Sequence, residues 1–84
     1  SQNILDSFRS QGLGNILNSW IGTGSNSPIS VDQLRSALGL ERIRQIAGRA
    51  GISEDRVGNM LRDLLPNVVD RATPNGSADP DDKQ

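Results

Sequence analysis

Carboxylate and amide side chains at helical spacing are the residues of this sequence best suited to chemistry. Asp55 and Asn59 are four residues apart, as are Asn59 and Asp63, and Glu41 lies three residues before Arg44. Such pairs share one face of a helix, and buried carboxylate pairs can act as general acid and base. On a helix surface they are more often solvated neighbours that contribute only tenths of a kcal/mol. We therefore expect no catalytic residues among them.

The absent residue types narrow the chemistry further. The sequence has no His, no Cys and no Tyr. Metal sites built on thiolate or imidazole are excluded within it, and so is catalysis by those three side chains. Residues 22–29 lack both the spacing and the Lys of a phosphate-binding loop. We predict a protein that is not an enzyme, with no cofactor and no metal.

A predicted helical hairpin, residues 40–65, carries a second group of polar candidates. Two helices with Gly51 in the turn match the outline of a DNA-binding helix-turn-helix, whose second helix enters the major groove. The nucleic-acid-binding candidates would be Arg42, Arg49, Arg56 and Asn59. With Arg35, these arginines would have to converge on one face. Glu54 and Asp55 at the start of the second helix oppose phosphate, so an ordinary packed hairpin is the preferred interpretation.

Trp20 and the loop after it form a third candidate site. The simplest role for Trp20 is to anchor the core, with its indole N–H bonded to a backbone carbonyl or water. The alternative is an exposed Trp that contacts a ligand. The Gly-, Ser-, Asn- and Pro-containing stretch 22–29 is either a connector or a binding surface. The candidate partner-binding residues are Trp20, Gly24, Asn26 and Pro28.

Apolar residues at spacings of three and four predict the helices of the hairpin. The first apolar stripe is Leu40, Ile43, Ile46, Ala47 and Ala50. The second is Val57, Met60, Leu61, Leu64 and Leu65. Gly51 suits a helix end, Ser53 suits the cap of the next helix, and Pro66 predicts a break or a kink. Exposure of Ile46, Val57 and Leu61 to solvent would contradict this packing.

The rest of the chain adds short helices to that hairpin. Apolar stripes predict helices near residues 3–10 and 13–21, and Ser30-Val31-Asp32-Gln33 is a capping box that starts a helix ending at Gly39. Val68, Val69 and Ala72 continue an apolar thread beyond Pro66, before a turn at residues 73–76. The predicted fold is all-α, a small orthogonal bundle of about five short helices. Residues 1–73 form one domain, and residues 74–84 form a disordered acidic tail.

Composition and charge exclude several function classes. The chain has 84 residues and a formal net charge of −1. Without residues 74–84 it has eight arginines against seven acids, or +1. So small a charge predicts no electrostatic steering toward nucleic acid or an anionic membrane. No apolar stretch is long enough for a membrane span and no signal peptide is visible, so we expect a cytoplasmic protein. The first residue, Ser1, leads us to expect a piece of a longer protein.

Several short motifs in this order resemble the bacterial YidB-like family of uncharacterised small all-helical proteins. The first group is Gly12-Leu13-Gly14, Ser19-Trp20, Gly24-x-Asn26-x-Pro28-Ile29-Ser30, Gln33-Leu34 and Ala37-Leu38-Gly39. The second is Leu64-Leu65-Pro66, Val69-Asp70 and Thr73-Pro74-Asn75-Gly76. The resemblance covers residues 4–76. It implies an all-α fold, a bacterial origin and further residues before Ile4, and it supplies no catalytic residues.

Two functions follow as hypotheses from these observations. The first is a non-catalytic module that binds another protein, and the alternative is nucleic-acid binding through the 40–65 hairpin. A contiguous exposed apolar patch near Trp20, the 22–29 loop or Val68-Val69 would favour the first. Binding that weakens steeply with salt would favour the second.

Overall fold

The computed structural model describes residues 3–76, which form five α-helices without a β-strand. Their bounds are α1 Ile4–Ser10, α2 Gly14–Ile21, α3 Val31–Leu38, α4 Leu40–Ala50 and α5 Glu54–Ala72. Helices α3, α4 and α5 all contact one another, α1 packs on α2 and α3, and α2 packs on α5. The prediction of an all-α fold with five helices is confirmed.

Side-chain caps fix where the helices begin. The Asn3 side chain accepts a hydrogen bond from the Asp6 N–H, at 2.8 Å, ahead of α1. The predicted capping box starts α3, with Ser30 and Gln33 bonded reciprocally at 3.0 Å. Ser53 accepts from the Arg56 N–H, at 3.1 Å, before α5. Each cap satisfies a backbone donor that the first turn of a helix leaves without an intrahelical partner.

The main core surrounds Trp20, which has no exposed surface, and Phe8, which is 1% exposed. Their rings meet edge to face, with centroids 5.6 Å apart. The indole N–H of Trp20 donates to the Ser27 carbonyl at 2.8 Å. The prediction of Trp20 as core anchor is confirmed, and the alternative of an exposed Trp is wrong. We define the main core as Phe8, Leu13, Leu17, Trp20, Ile21, Ile29, Leu34, Ala37 and Leu38.

A smaller apolar cluster lies between α4 and α5. It consists of Ile43, Ala47 and Val57, all buried, with Ile52 and Leu61 partly buried against them. Gly51 joins the two helices in a left-handed conformation at φ 69°, which its missing Cβ makes easy to adopt. The predicted helical hairpin is confirmed.

Of the break or kink predicted at Pro66, the break does not occur, because helix α5 continues through this residue. A proline inside a helix costs about 3 kcal/mol or more because it removes a hydrogen bond and crowds the preceding turn. Leu61 and Leu65 before Pro66, and Val69 after it, all pack against the main core. Burying each of these side chains contributes up to about 1.5–3 kcal/mol, which offsets that cost.

The end of α5 is tied to α2. The buried Thr73 hydroxyl donates to the Val69 carbonyl at 2.8 Å and lies 3.3 Å from the Ile21 carbonyl. The predicted turn follows, with the Gly76 N–H donating to the Thr73 carbonyl at 3.0 Å. The rest of the predicted acidic tail, residues 77–84, lies outside the described residues. Among the helices of residues 3–76, none has the length and apolar character that crossing a membrane requires.

Candidate functional site

An exposed apolar surface on α4 and α5 is the candidate site. It consists of Ile46, Met60, Leu64 and Val68, whose exposed fractions are 41, 44, 53 and 58%. We call it the α4–α5 apolar surface. Met60, Leu64 and Val68 are four residues apart, so they form a ridge along one side of α5. This surface includes Val68, one of the positions where the sequence led us to look for a patch.

The exposure of Ile46 corrects the predicted packing of the first apolar stripe. Ile43 and Ala47 are buried, whereas Ile46, Leu40 and Ala50 are exposed. Successive residues of a helix are about 100° apart, so Ile46 lies about 60° around the axis from Ile43 and about 100° from Ala47. Within the described chain α4 packs only on α3 and α5, and neither covers this side.

The second predicted stripe divides in the same way. Val57 is 2% exposed, and Leu61 and Leu65 are partly buried, whereas Met60 and Leu64 face solvent. The spacing of apolar residues on α5 therefore contains two lines, one directed at the core and one at the solvent. The sequence showed both lines but could not show that only one has a covering helix.

A small apolar cavity adjoins the ridge where α4 and α5 meet. Its volume is about 70 Å³. All of its lining residues are apolar, namely Ile46, Ala50, Ile52, Val57, Met60 and Leu61. A water molecule occupies about 30 Å³ of liquid, so this cavity has room for the end of one aliphatic side chain. Ile46 and Met60 belong to both the cavity and the exposed surface, so the two form one continuous feature.

Three arginines flank this surface along the sequence. Arg49 is three residues after Ile46, Arg56 is four residues before Met60, and Arg71 is three residues after Val68. All three are exposed, and none forms an ion pair with a residue in the 3–76 range. They give the border of the apolar surface a positive charge.

Two acids of α5 near this surface lie in ion pairs with other arginines. Asp63 accepts two hydrogen bonds from Arg62, at 3.0 and 3.4 Å. These hydrogen bonds and the attraction of the carboxylate raise the pKa of Arg62, which stays charged. Arg44 reaches Glu54, at 3.7 Å, rather than Glu41. Of the acids of α5, only Asp70 forms no ion pair within residues 3–76.

The carboxylate and amide pairs singled out in the sequence lie exposed on the surface. Asp55 bonds Arg35 of α3 at 3.0 Å, and its side chain is 87% exposed. Asn59 and Asp63 are exposed as well. Within residues 3–76, no three His, Cys, Asp or Glu side chains are grouped in a way that could hold a metal ion.

The predicted partner-binding residues of the 22–29 loop have unequal access to solvent. Trp20 is buried, Asn26 is partly buried, and Gly24 and Pro28 are exposed. The Asn26 amide donates to the Pro66 carbonyl at 3.4 Å, and its Oδ1 is buried without a hydrogen-bond partner in the described chain. The Ser27 N–H donates to the Ser19 hydroxyl at 2.8 Å, so the loop is fastened to α2 as well as to α5.

The predicted nucleic-acid-binding residues lie in different environments. The Arg42 guanidinium donates to the Ser7 hydroxyl of α1 at 3.4 Å. Arg35 lies 3.5 Å from Asp32 and 3.0 Å from Asp55. Arg49, Arg56 and Asn59 are exposed. Two of the arginines that this function would need on one face are thus engaged elsewhere.

A larger hollow lies beside α1 and the start of α4, and sequence reasoning missed it because three elements contribute its lining. Its volume is about 350 Å³, and it is bordered by Ser7, Ser10 and Ser36. Glu41 and Arg42 bring opposite charges to the same wall. Their opposed charges favour neither an anion nor a cation there.

Comparison with known proteins gives consistent matches at the level of family and fold. The profile of the YidB-like protein family matches residues 2–82. The chain is 31% identical over 80 residues to a protein of Escherichia coli described as uncharacterized protein YidB, covering 94% of this chain and 61% of that protein. It is also similar to a solved structure from Shigella flexneri, described as a homeodomain-like protein of unknown function.

The TM-score of that structural match is 0.83 at 31% identity, and the match covers 88% of this chain and 59% of the other. The chain thus spans about three fifths of the length of the relatives it matches. Together with the family profile, these matches confirm the resemblance drawn from the sequence motifs. The chain belongs to the YidB-like protein family.

Proposed function

We propose that this chain is a non-catalytic protein-interaction module that binds its partner through the α4–α5 apolar surface. The observation that carries the proposal is the exposed ridge of Met60, Leu64 and Val68, which continues into the apolar cavity at Ile46. Single exposed hydrophobic residues are common on folded proteins, but contiguous apolar patches with a charged border mark interaction sites.

The free energy available at this surface is adequate for binding. Completing the burial of a half-exposed large aliphatic side chain contributes about 1 kcal/mol, half of the value for full burial. Four such residues with a cavity supply the apolar centre of an interface, and the arginines supply its polar rim. A partner that fills the cavity as well would gain the packing contacts that its lining now lacks.

The non-catalytic part of the proposal is supported by the state of the acids. Asp55, Asp63 and Glu54 lie in exposed ion pairs with arginine. General acid and base catalysis requires a carboxyl group positioned within hydrogen-bond reach of a bound substrate. With no His, Cys or Tyr in the sequence, few other groups could take that role.

Affinity capture from the native organism tests this function. The protein would be compared with a Met60→Ser, Leu64→Ser double variant and with Ile4→Ser, a matched control. Ile4 is 47% exposed on α1, which packs on α2 and α3 and meets α4 through the Ser7–Arg42 hydrogen bond. We expect a partner protein that is retained by the control and lost from the double variant. Capture of the same proteins by all three forms would contradict the proposal.

Nucleic-acid binding is the second candidate function. It is favoured by the similarity to a homeodomain-like structure, since homeodomains place their third helix in the major groove. Helix α5 would take that role, with Arg56 and Asn59 on its exposed surface. Glu54 and Asp55 in its first turn oppose binding to phosphate.

Fluorescence anisotropy with duplex DNA at low and moderate salt separates the two candidates. The protein-interaction proposal predicts no salt-sensitive DNA binding. Affinity that falls steeply with added salt, and that an Arg56→Glu variant abolishes, would establish the second candidate instead.

A further inference from the structure

We propose that the segment bound at the α4–α5 apolar surface is an amphipathic helix whose apolar face is flanked by Asp or Glu. This inference rests on the proposed function and specifies the chemistry of the partner. Three observations carry it: the length of the ridge, the cavity at one end, and the unpaired arginines around both.

The dimensions of the surface suit a helix. From Met60 to Val68 the ridge spans eight residues, or about 12 Å at 1.5 Å per residue. Apolar residues at positions i, i+4 and i+7 of a partner helix span about 10.5 Å by the same measure. One of them can enter the cavity between α4 and α5 while the others lie along the ridge. This is the helix-in-groove mode of peptide recognition.

The charges around the surface favour acidic residues next to the apolar face of the partner helix. Arg49 and Arg56 lie toward the cavity end of the ridge, and Arg71 lies one turn beyond Val68. Asp63 is held by Arg62, and none of the three arginines forms an ion pair with a carboxylate of residues 3–76. Carboxylates at both ends of the partner's apolar face would meet them, and complementary charges of this kind set specificity and orientation.

The same charges disfavour a second copy of this chain as the occupant. In a two-fold contact with parallel α5 helices each arginine would face its own copy, and the two helices could also cross antiparallel at Leu64. Arg56 lies eight residues before Leu64 and Arg71 seven residues after it, so Arg56 of one copy would face Arg71 of the other. Like charges placed opposite each other oppose association.

Selection from a peptide library provides the test. The probe is a phage-displayed set of helical 18-residue peptides with a fixed i, i+4, i+7 leucine pattern and flanking positions randomised among Glu, Lys and Gln. We expect Glu-flanked peptides to be enriched about fivefold over Lys-flanked ones, since exposed charge pairs contribute only modestly to affinity. Affinities of individual peptides would then be measured by fluorescence anisotropy.

Three variants test whether the selected peptides bind at this surface. Leu64→Ser should weaken binding of every selected peptide by about tenfold or more, as expected for a central apolar contact. Arg56→Glu with Arg71→Glu should reverse the preference toward Lys-flanked peptides. Ile4→Ser should change neither quantity. Urea unfolding of each variant would confirm that it is folded.

The outcomes are distinguishable. Enrichment of Glu-flanked peptides, with reversal in the arginine variant, supports the inference. Peptides that need Leu64 but show no flank preference, or prefer Lys, would overturn the inference and leave the proposed docking function standing. Absence of any Leu64-dependent peptide would overturn both. A dimer in sedimentation experiments that Leu64→Ser dissociates would also overturn the inference, because the occupant would be a second copy.

Discussion

The main core and the α4–α5 apolar surface contain the same kinds of residue but differ in how far these residues are buried. In the main core, Trp20, Phe8 and Leu34 are almost fully buried because α1, α2, α3 and α5 surround them. At the α4–α5 surface, Met60 and Leu64 remain about half exposed because no described helix covers them. Burial therefore depends on the number of neighbouring helices, and an apolar line without a covering helix is available to a partner.

Among the changes that compare the two regions, truncation of Trp20 should cause the largest loss of stability. Trp20→Ala removes the largest buried side chain and its hydrogen bond to Ser27, which should cost about 3–5 kcal/mol. A domain of this size has a net stability of about the same magnitude, so most of the protein should unfold. Far-UV circular dichroism would report this. A variant that stays folded with less than about 1 kcal/mol lost, far below the usual range, would contradict the assignment of Trp20 as core anchor.

Replacing one leucine of each region by alanine compares directly how much the two regions contribute to stability. Leu34 has no exposed surface, whereas Leu64 is 53% exposed. Leu34→Ala should lower the unfolding free energy by about 2–5 kcal/mol, and Leu64→Ala by less than about 1 kcal/mol, since Ala and Leu differ little in helix propensity. Urea titrations of both variants would measure this. Equal losses would mean that Leu64 contributes to folding as much as a core residue does.

Alanine substitutions at two helical glycines compare a packed helix face with an open one. A Cβ added at Gly58 of α5 would lie 2.9 Å from Val31 Cγ1, whereas one added at Gly48 of α4 meets nothing within 4 Å. Gly58→Ala should destabilise the protein by about 1 kcal/mol, because overpacking against α3 exceeds the gain in helix propensity. Gly48→Ala should stabilise it by about 0.5–1 kcal/mol. Thermal unfolding of both variants is the measurement, and shifts of the same sign would contradict it.

An effect about as large as that of Gly58→Ala concerns the start of α3, which closes the main core. Ser30→Ala removes one half of the capping box and should cost about 1 kcal/mol. Ser30→Thr keeps a hydroxyl acceptor and is the matched control. Chemical denaturation that finds the alanine variant no less stable than the threonine variant would show that the cap contributes little.

Local signals in the sequence determined most of the fold. The caps at Ser30 and Ser53 and the left-handed Gly51 were recognisable because each acts within one helical turn. The break considered at Pro66 does not occur, because the packing of Leu65 and Val69 on the main core, which keeps the helix intact, involves distant residues. The same limit applies to the candidate site.

The spacing of Met60, Leu64 and Val68 was visible in the sequence, but their exposure was not. Which of two apolar lines on a helix becomes buried depends on the positions of the other helices. Trp20 shows the converse, since its type and spacing suited both a core anchor and an exposed contact, and only the surrounding helices decided between them.

Site-specific photo-cross-linking tests the central claim most directly. A photoreactive phenylalanine analogue would replace Leu64 or, as the control, Ile4 in the protein expressed in its native organism. Both positions are about half exposed, at 53% and 47%, so solvent access alone cannot distinguish them. We predict a discrete protein adduct from position 64 and none from position 4. No adduct at position 64, or the same adducts from both positions, would contradict a docking role for the α4–α5 apolar surface.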